Sequence, residues 1–443
     1  MSGLRISRRA LPGLLAAPLL ARPGRAQPAS PAILFVHGNG DHAALWVTQI
    51  WRFQVHGVTA LRAVNMPDPL ARANDAVPQP HRSSSTEQTD RLAAFVEAFR
   101  AETGAARIAL VGSSRGGYPI RDFVVHRGGS AVVSHAVLCG TPNRGVFDWE
   151  FNEGSEFNAR SPFLRRLNGG ETDVVPGTAF LTLRSDNDLF AQPDGRFVGR
   201  PGVPTGINQD GPMLRGATNL LLPGLDHREV AFHPRAFAEM YRFIVGREVE
   251  RLDIPPEEAP LLDGQITGVE AGVQTNRPVA GARVAVYRID ESGQRIGPAL
   301  QEVTTGADGR WGPVRVRPDW RLEWEVAAPG HPILHLFRGP FPRSADVLHI
   351  RPPLPPAEGE RGAPALLRMM RPRGYFGTPR DLVLLDGERP ALREGVPSQS
   401  LVARTLPAER LGSRVVGLFN EERVIGRAVP LAEGRIAVLE ILS

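Results

Sequence analysis

The chain has 443 residues, with 52 basic against 47 acidic side chains, 42% hydrophobic and 22% charged residues. That length exceeds what one hydrophobic core serves, so two or three domains are expected, and no apolar run approaches the roughly 20 residues of a membrane-spanning helix. Cys139 is the only cysteine, which excludes an intramolecular disulfide and a zinc site built from several thiolates.

Residues 1–26 read as a twin-arginine export signal. Ser7-Arg8-Arg9-Ala10-Leu11 is followed by a modestly apolar stretch from Leu14 to Ala21 and by small residues through Gly24-Arg25-Ala26. The paired arginines, and Arg22 and Arg25 near the cut, favour this route over a Sec signal, and a periplasmic or secreted protein is the expectation. Five of the 52 basic residues and no acidic one precede the expected cut, which leaves basic and acidic residues equal at 47. The general electrostatic case for nucleic acid as a partner then disappears.

Residues 31–247 alternate short aliphatic runs with helical stretches, the pattern of a mostly parallel sheet covered by helices, an α/β domain. Ile33 to Val36 is a strand ending at His37-Gly38-Asn39-Gly40. A helix from His42 to Val55 and a strand from Thr59 to Val64 follow. Asp90 to Glu102 reads as a helix with Leu92, Phe95, Val96 and Phe99 on one face, and Ile108 to Val111 as the central strand.

That strand runs into Gly112-Ser113-Ser114-Arg115-Gly116-Gly117, which holds G-x-S-x-G ahead of a helix starting near Tyr118. Glycines two positions either side leave room for a sharp turn that lifts the Ser114 hydroxyl above the sheet edge as a nucleophile. Any Gly/Ser-rich turn can match this pattern; the strand before and the helix after give it weight. His37-Gly38-Asn39-Gly40 would bring the Asn39 backbone N–H toward the serine, and the N–H of Arg115 would be the second oxyanion donor.

The strand Ala136 to Cys139 leads into Gly140-Thr141-Pro142-Asn143-Arg144-Gly145. Residues 142–175, with Phe147, Trp149, Phe151, Phe157 and Phe163, read either as a cap over the site or as a packed insertion, and both stay open. Ala179 to Leu183 is a strand that ends in Arg184-Ser185-Asp186-Asn187-Asp188. A carboxylate here suits the chain order Ser, Asp, His. Asp188 is preferred because hydrophobic Leu189-Phe190 follow it; Asp186 is the alternative acid, and turn-forming or calcium-binding aspartates are the bland reading. After the strand from Asn219 to Leu222, Gly224-Leu225-Asp226-His227 offers His227 as general base, and His233, at the start of a helix running to Val245, reads as a cap.

Past the linker Ile254 to Pro260 the pattern turns to strands and turns. Residues 261–351 read as a β-sandwich resembling transthyretin-like modules, with a hairpin at Asp308-Gly309, and residues 364–443 as a second β module after the Pro-rich break at 352–363. Trp311, Trp320, Trp324, Phe337 and Phe341 are either sandwich core, the preferred reading, or an exposed surface for lipid.

Taken together, the HGNG start, the GSSRGG elbow, the CGTPNRG loop and the GLDH loop resemble bacterial and archaeal lipases of the α/β-hydrolase superfamily. A closer likeness, carried by Val286-Tyr287-Arg288-Ile289-Asp290-Glu291-Ser292-Gly293 and Arg338-Gly339-Pro340-Phe341, is to archaeal lipases with a C-terminal β-barrel lipid-binding domain. The resemblance implies a minimal sheet with helices on both faces followed by all-β structure, and catalysis by Ser114, Asp188 and His227 with Asn39 and Arg115 as oxyanion hole. It further implies ester or lipid substrates, no cofactor, no metal, a monomer, and contact with lipid surfaces through the β region. One departure stands out: in those relatives the acid follows the strand after the elbow, where this chain has Gly140-Thr141 and no carboxylate, so the acid here is expected from Asp188 or Asp186, one strand later. A polyester depolymerase or small-ester esterase is the enzymatic alternative. The non-enzymatic one is a surface lipid- or glycan-binding protein on an inactive hydrolase scaffold, against which intact Ser114 and His227 argue.

Overall fold

Side-chain alternation along the first strand, β1 (Ile33–Val36), feeds two separate cores: Ile33 and Phe35 enter one, Leu34 and Val36 the other. The computed structural model describes residues 30–443 apart from 197, 199 and 201; the expected export segment lies outside them. Strand β1 belongs to a six-stranded parallel sheet with β2 (Leu61–Ala63), β3 (Ile108–Ser113), β4 (Val133–Cys139), β5 (Ala179–Arg184) and β6 (Thr218–Leu221), ordered β2-β1-β3-β4-β5-β6.

Helices cover both faces of this sheet. From α1 (Val47–Val55), Phe53 packs with Ile33, Phe35, Val111 and Val137. Leu92, Val96 and Phe99 of α2 (Ser85–Thr103) and Ile120 of α3 (Gly117–His126) pack on Leu34, Val36, Leu110 and Leu138. A short α4 (Pro162–Asn168) lies in the insertion after β4, and α5 (Glu229–Phe232) and α6 (Pro234–Val245) follow β6, with Phe237, Met240 and Tyr241 joining the Phe53 side. This is the α/β-hydrolase architecture. Its strand order reverses between β1 and β3, so the loops leaving their carboxyl ends diverge and open a crevice.

Helix α2 begins five residues before the expected Asp90. The Ser84 hydroxyl accepts from Glu87 N at 3.2 Å and the Glu87 carboxylate accepts from Ser84 N at 2.8 Å, a capping box that sets the start.

The C-terminal region is built on a seven-stranded sheet whose strands run, side by side, Gln301–Thr304, Arg283–Ile289, Arg321–Ala327, Ile333–Arg338, Arg435–Glu440, Ala365–Met370 and Leu401–Leu406. Arg435–Glu440 lies parallel to both of its neighbours. The stretches 261–351 and 364–443, expected as two modules, therefore share one sheet. The reason lies in that strand: Ile436 and Val438 enter a core with Trp324, Val326, Leu334 and Leu336, while Ala437 and Leu439 enter another with Leu367, Met369, Val415 and Phe419. A strand apolar on both faces must be central, with both backbone edges paired.

One further expectation is corrected here, while the preferred reading of the aromatic residues as core is met. Asp308-Gly309 does form a turn, closed by Gly309 N donating to Gly306 O at 2.9 Å, but no hairpin. The flanking strands pair elsewhere, Gln301–Thr304 with Arg283–Ile289 and Val314–Arg315 with Leu261–Leu262. Trp311, Trp324, Phe337 and Phe341 are buried and serve the cores; only Trp320 is half-exposed, with the Arg288 guanidinium 5.1 Å from its ring centre.

Helix α1 joins the two halves. Its outward residues Val47 and Trp51 belong to the core of Trp311, Trp324 and Phe341, and Trp51 Nε1 donates to Ser344 O at 2.7 Å. Inside the β region, buried Glu323 accepts from His335 Nδ1 at 2.7 Å and from Arg295 and Arg427 at 2.8 and 2.6 Å. Glu323, Glu325 and His335 are close enough together to hold a cation, but Arg295, Arg427 and Arg435 already supply the countercharge.

Candidate active site

Strand β3 ends at Ser113, and the next residue, Ser114, has φ 52°, the left-handed region that a side chain enters only under strain. The turn is that sharp because its glycines touch backbone. A Cβ on Gly116 would stand 2.5 Å from Val36 O and 2.6 Å from His37 O, and one on Gly112 would stand 2.9 Å from Gly116 O. Helix α3 follows at once, so the half-buried Ser114 stands at a helix start above the crevice between β1 and β3.

The loop after β1 reaches the same point. A Cβ on Gly38 would lie 3.1 Å from Ser114 Cβ. Asn39 Oδ1 accepts from Ala71 N at 2.8 Å, so the side chain fixes the loop and the part expected of Asn39 falls to its backbone. The Arg115 side chain is likewise taken up in anchoring. It forks onto Glu156, with Nη2 at 2.9 Å from Oε2 and Nε on Oε1, and Nη1 donates to Pro69 O and Ser83 Oγ, both at 3.1 Å. Burial holds the Glu156 carboxyl above its ordinary value, against the pull of Arg115. Glu156, on the 142–175 insertion, thus ties that segment to the elbow, a contact the sequence reading missed.

His227 and Asp188 meet directly. The imidazole Nδ1 is 2.9 Å from each carboxylate oxygen, and both side chains are buried. Asp188 Oδ1 also accepts from Phe190 N at 2.8 Å, and the Phe190 ring stands edge-on to the imidazole at 4.5 Å. Asp186 is exposed and instead accepts from Gly224 N at 2.8 Å, linking two loops. His233 caps α6, its Nδ1 accepting from Arg235 N at 3.1 Å.

Gly140 accounts for the missing acid after β4. It has φ 56°, and a Cβ there would stand 2.9 Å from His227 O and 3.2 Å from His227 Nδ1. The histidine occupies that place, and the carboxylate comes from the next strand. Ser114, Gly140 and Asp188 thus sit at or just beyond the carboxyl ends of β3, β4 and β5, with His227 packed over Gly140.

Residues of the β region grip both loops, and none was foreseen from sequence. Asn276 Nδ2 donates to Asp41 O and Met66 O, each at 2.8 Å. Arg351 donates to Gly40 O at 2.6 Å and Asp41 O at 3.0 Å, and also bonds Asn276. On the histidine side, Asp226 Oδ2 accepts from Arg371 Nη1 at 3.0 Å and Tyr375 N at 2.7 Å; Glu229 accepts from Arg371 Nη2 at 2.6 Å and Arg380 Nη1 at 2.8 Å. Arg228 spans the two loops, donating to Asp41 Oδ1 at 2.8 Å and Pro372 O at 2.9 Å. Burial, with Glu229 beside it, holds the Asp226 carboxyl above its ordinary value. Burial also pushes Glu229 up, but Arg371 and Arg380 outweigh it and leave Glu229 below. The sequence gives no sign of these partners, because carboxylates such as Asp226 and Glu229 are ordinary at a helix start.

Three histidines line the same junction, His37 and His349 buried and His42 half-buried. His37 is pushed down to about 4 and His349 to about 3, both chiefly by burial, and His42 is also well below its ordinary range. His37 holds one tautomer: Nδ1 donates to Gly38 O at 2.9 Å and Nε2 accepts from Met66 N at 3.1 Å. An unfolded histidine titrates near 6.5, so between about pH 6.5 and 4 the unfolded chain takes up protons that the folded chain refuses. Their contribution is complete above pH 6.5 and is lost as pH falls, up to about 3 kcal/mol for a depression of this size. Asp226 and Glu156, with raised carboxyls, work the other way and are outnumbered. The melting temperature is expected to be level from pH 8 to 7 and to fall between 6.5 and 4.5; a flat profile across the lower range would contradict this.

Residues 262–355 match the family model described as the lipase C-terminal domain. No curated protein matches the chain by sequence. Similar solved structures include a gene product of Listeria innocua, at 14% identity over 51% of this chain and 97% of that one with a TM-score of 0.36. Lipase B of Aspergillus fumigatus matches at 14% over 51% and 55% with 0.36, and a phospholipase of Legionella pneumophila at 13% over 73% and 93% with 0.33. At these scores none of them carries an argument about the activity of this chain.

Proposed function

We propose that this chain hydrolyses carboxylic esters through an acyl-Ser114 intermediate, with lipids or other long acyl esters as the preferred class. The observation that carries the reading is the buried His227–Asp188 pair, 2.9 Å apart, at the same carboxyl edge of the parallel sheet as a strained serine at its reversal point.

In this mechanism Ser114 Oγ attacks the ester carbonyl carbon while its proton passes to His227 Nε2. Nδ1–H stays directed at Asp188, whose two oxygens hold the ring in that tautomer and face the imidazolium as it forms. The carbonyl oxygen, now negative, is met by the backbone N–H groups of Asn39 and Arg115. The tetrahedral intermediate collapses, the alcohol leaves with the proton from His227, and water repeats the sequence to release the acid.

The apolar preference rests on two supports. One is the match of residues 262–355 to a lipase C-terminal domain. The other is a stack of three rings on the insertion, Phe147 on Trp149 at 4.4 Å and Trp149 on Phe151 at 4.8 Å, with Phe151 45% exposed at its end. Because the Glu156–Arg115 ion pair ties this insertion to the elbow, it reads as a fixed wall of the acyl site rather than a freely swinging lid.

The test is a p-nitrophenyl ester series from acetate to palmitate, run beside labelling of Ser114 by a fluorophosphonate. Turnover with an optimum at octanoate or longer is expected. An optimum at acetate would move the reading to a small-ester esterase, and folded protein that neither turns over nor labels would overturn it.

A further inference from the structure

We infer that Arg371, seconded by Arg380, is a positioning residue for His227: the β region supplies a guanidinium clamp that holds the catalytic turn in register, and is thereby a working part of the active site. The inference rests on the ester-hydrolase reading above.

The clamp is visible in the bonding of the turn 226–229. His227 points inward to Asp188, while the three residues around it are all bound to groups beyond the turn. Asp226, fully buried, accepts four hydrogen bonds: from Arg228 N and Glu229 N on Oδ1, at 2.8 and 2.9 Å, and from Arg371 and Tyr375 N on Oδ2. Glu229 Oε2 in turn accepts from Asp226 N at 2.8 Å. Two carboxylates thus sit three residues apart, both out of water, on either side of the general base.

Like charges so placed repel, and burial adds a cost that only opposite charge and good geometry offset. Arg371 meets both conditions. One guanidinium nitrogen binds Asp226 and the other binds Glu229, so the rigid planar group sets the spacing between the two carboxylates. Arg380 adds a second contact to each, at 2.8 Å to Glu229 and 3.5 Å to Asp226.

Arg371 is itself held before it grips. Nε donates to Ser443 O at 3.2 Å, Nη1 to Tyr375 O at 2.8 Å, and the Phe419 ring lies 4.1 Å from the guanidinium carbon. Those supports all belong to the β region. The position of His227 is therefore referenced to the C-terminal sheet as well as to β6, which carries the loop.

Without Arg371 the two buried carboxylates keep only the looser contacts of Arg380, and the turn relaxes. A base misplaced by about 1 Å can cost on the order of 100-fold in rate while leaving substrate binding nearly intact. Arg371→Gln is therefore expected to lower kcat by ~30-fold or more, to move KM by less than about 3-fold, and to slow fluorophosphonate labelling of Ser114 in parallel. Arg427→Gln is the control: it removes a partly buried arginine that pairs with the buried Glu323, far from the site in the bonding network, and should lower the melting temperature with kcat unchanged.

Should Arg371→Gln not fold, Arg380→Gln removes the half-exposed arm alone and should cost kcat by ~3- to 10-fold. An active wild type whose clamp variants keep kcat within twofold overturns the inference, as does a kcat loss of equal size in Arg371→Gln and Arg427→Gln. A wild type that neither turns over nor labels is the separate failure of the hydrolase reading itself.

Discussion

Ser114→Ala is expected to reduce ester turnover by about 10⁴- to 10⁶-fold, with the fold intact, because the nucleophile is removed while the oxyanion donors and binding surface stay. The structure adds a second readout. Ser114 holds φ 52°, a conformation that costs on the order of 1–3 kcal/mol for a residue with a side chain, and alanine inherits that cost. Ser114→Gly removes both the hydroxyl and the strain, so it should be as inactive as the alanine variant and more stable by about 1 kcal/mol. Parallel urea titrations of the three proteins measure this. Substantial turnover by Ser114→Ala would exclude Ser114 as the nucleophile, and a glycine variant less stable than alanine would exclude strain at the elbow.

The second large effect separates two aspartates two positions apart. Asp188→Asn is expected to lower kcat by about 10³- to 10⁴-fold: an amide can turn its NH2 toward Nδ1 and stabilise the tautomer that cannot accept the Ser114 proton. Nothing else nearby substitutes, since the Asp188 carboxylate is buried and its other partner is the Phe190 N–H. Asp186→Asn keeps an oxygen for Gly224 N and should leave kcat within about threefold. Measured on one octanoate ester at pH 8, the two variants should differ by at least a hundredfold. The reverse ranking would transfer the role to Asp186.

How much of this could be read in advance depended on how local the cause was. The elbow, the strands and the pairing of Asp188 rather than Asp186 with His227 come from patterns spanning a few residues: alternation in Ile33–Val36, glycines flanking Ser114, hydrophobic Leu189-Phe190 after the acid. Ser84 and Glu87 were legible as a capping box too, and passing over them set the start of α2 five residues late. The contacts of Arg115 with Glu156, of Asn276 and Arg351 with the β1 loop, and of Arg371 with Asp226 join residues 41 to 311 positions apart. An arginine in a sequence gives no sign of which carboxylate it will meet. The same holds for the shared C-terminal sheet: Ile436 to Glu440 is recognisable as a strand, but its place between residues 333–338 and 365–370 follows only from which edges remain open.

That central strand sets the order in which the molecule can be finished. Arg435–Glu440 leaves the ribosome after all six of its sheet partners, although it lies in their midst. Until it inserts, Ile333–Arg338 and Ala365–Met370 each present a bare edge to whatever strand is near, a hazard for pairing between nascent chains. The insertion is a parallel pairing across roughly 70 to 100 residues of chain, slow by comparison with the more local packing of residues 31–247. The hydrolase half can therefore collapse first, with its histidine turn facing a counterpart that has yet to form, and assembly of the catalytic apparatus becomes a late event in the life of the polypeptide.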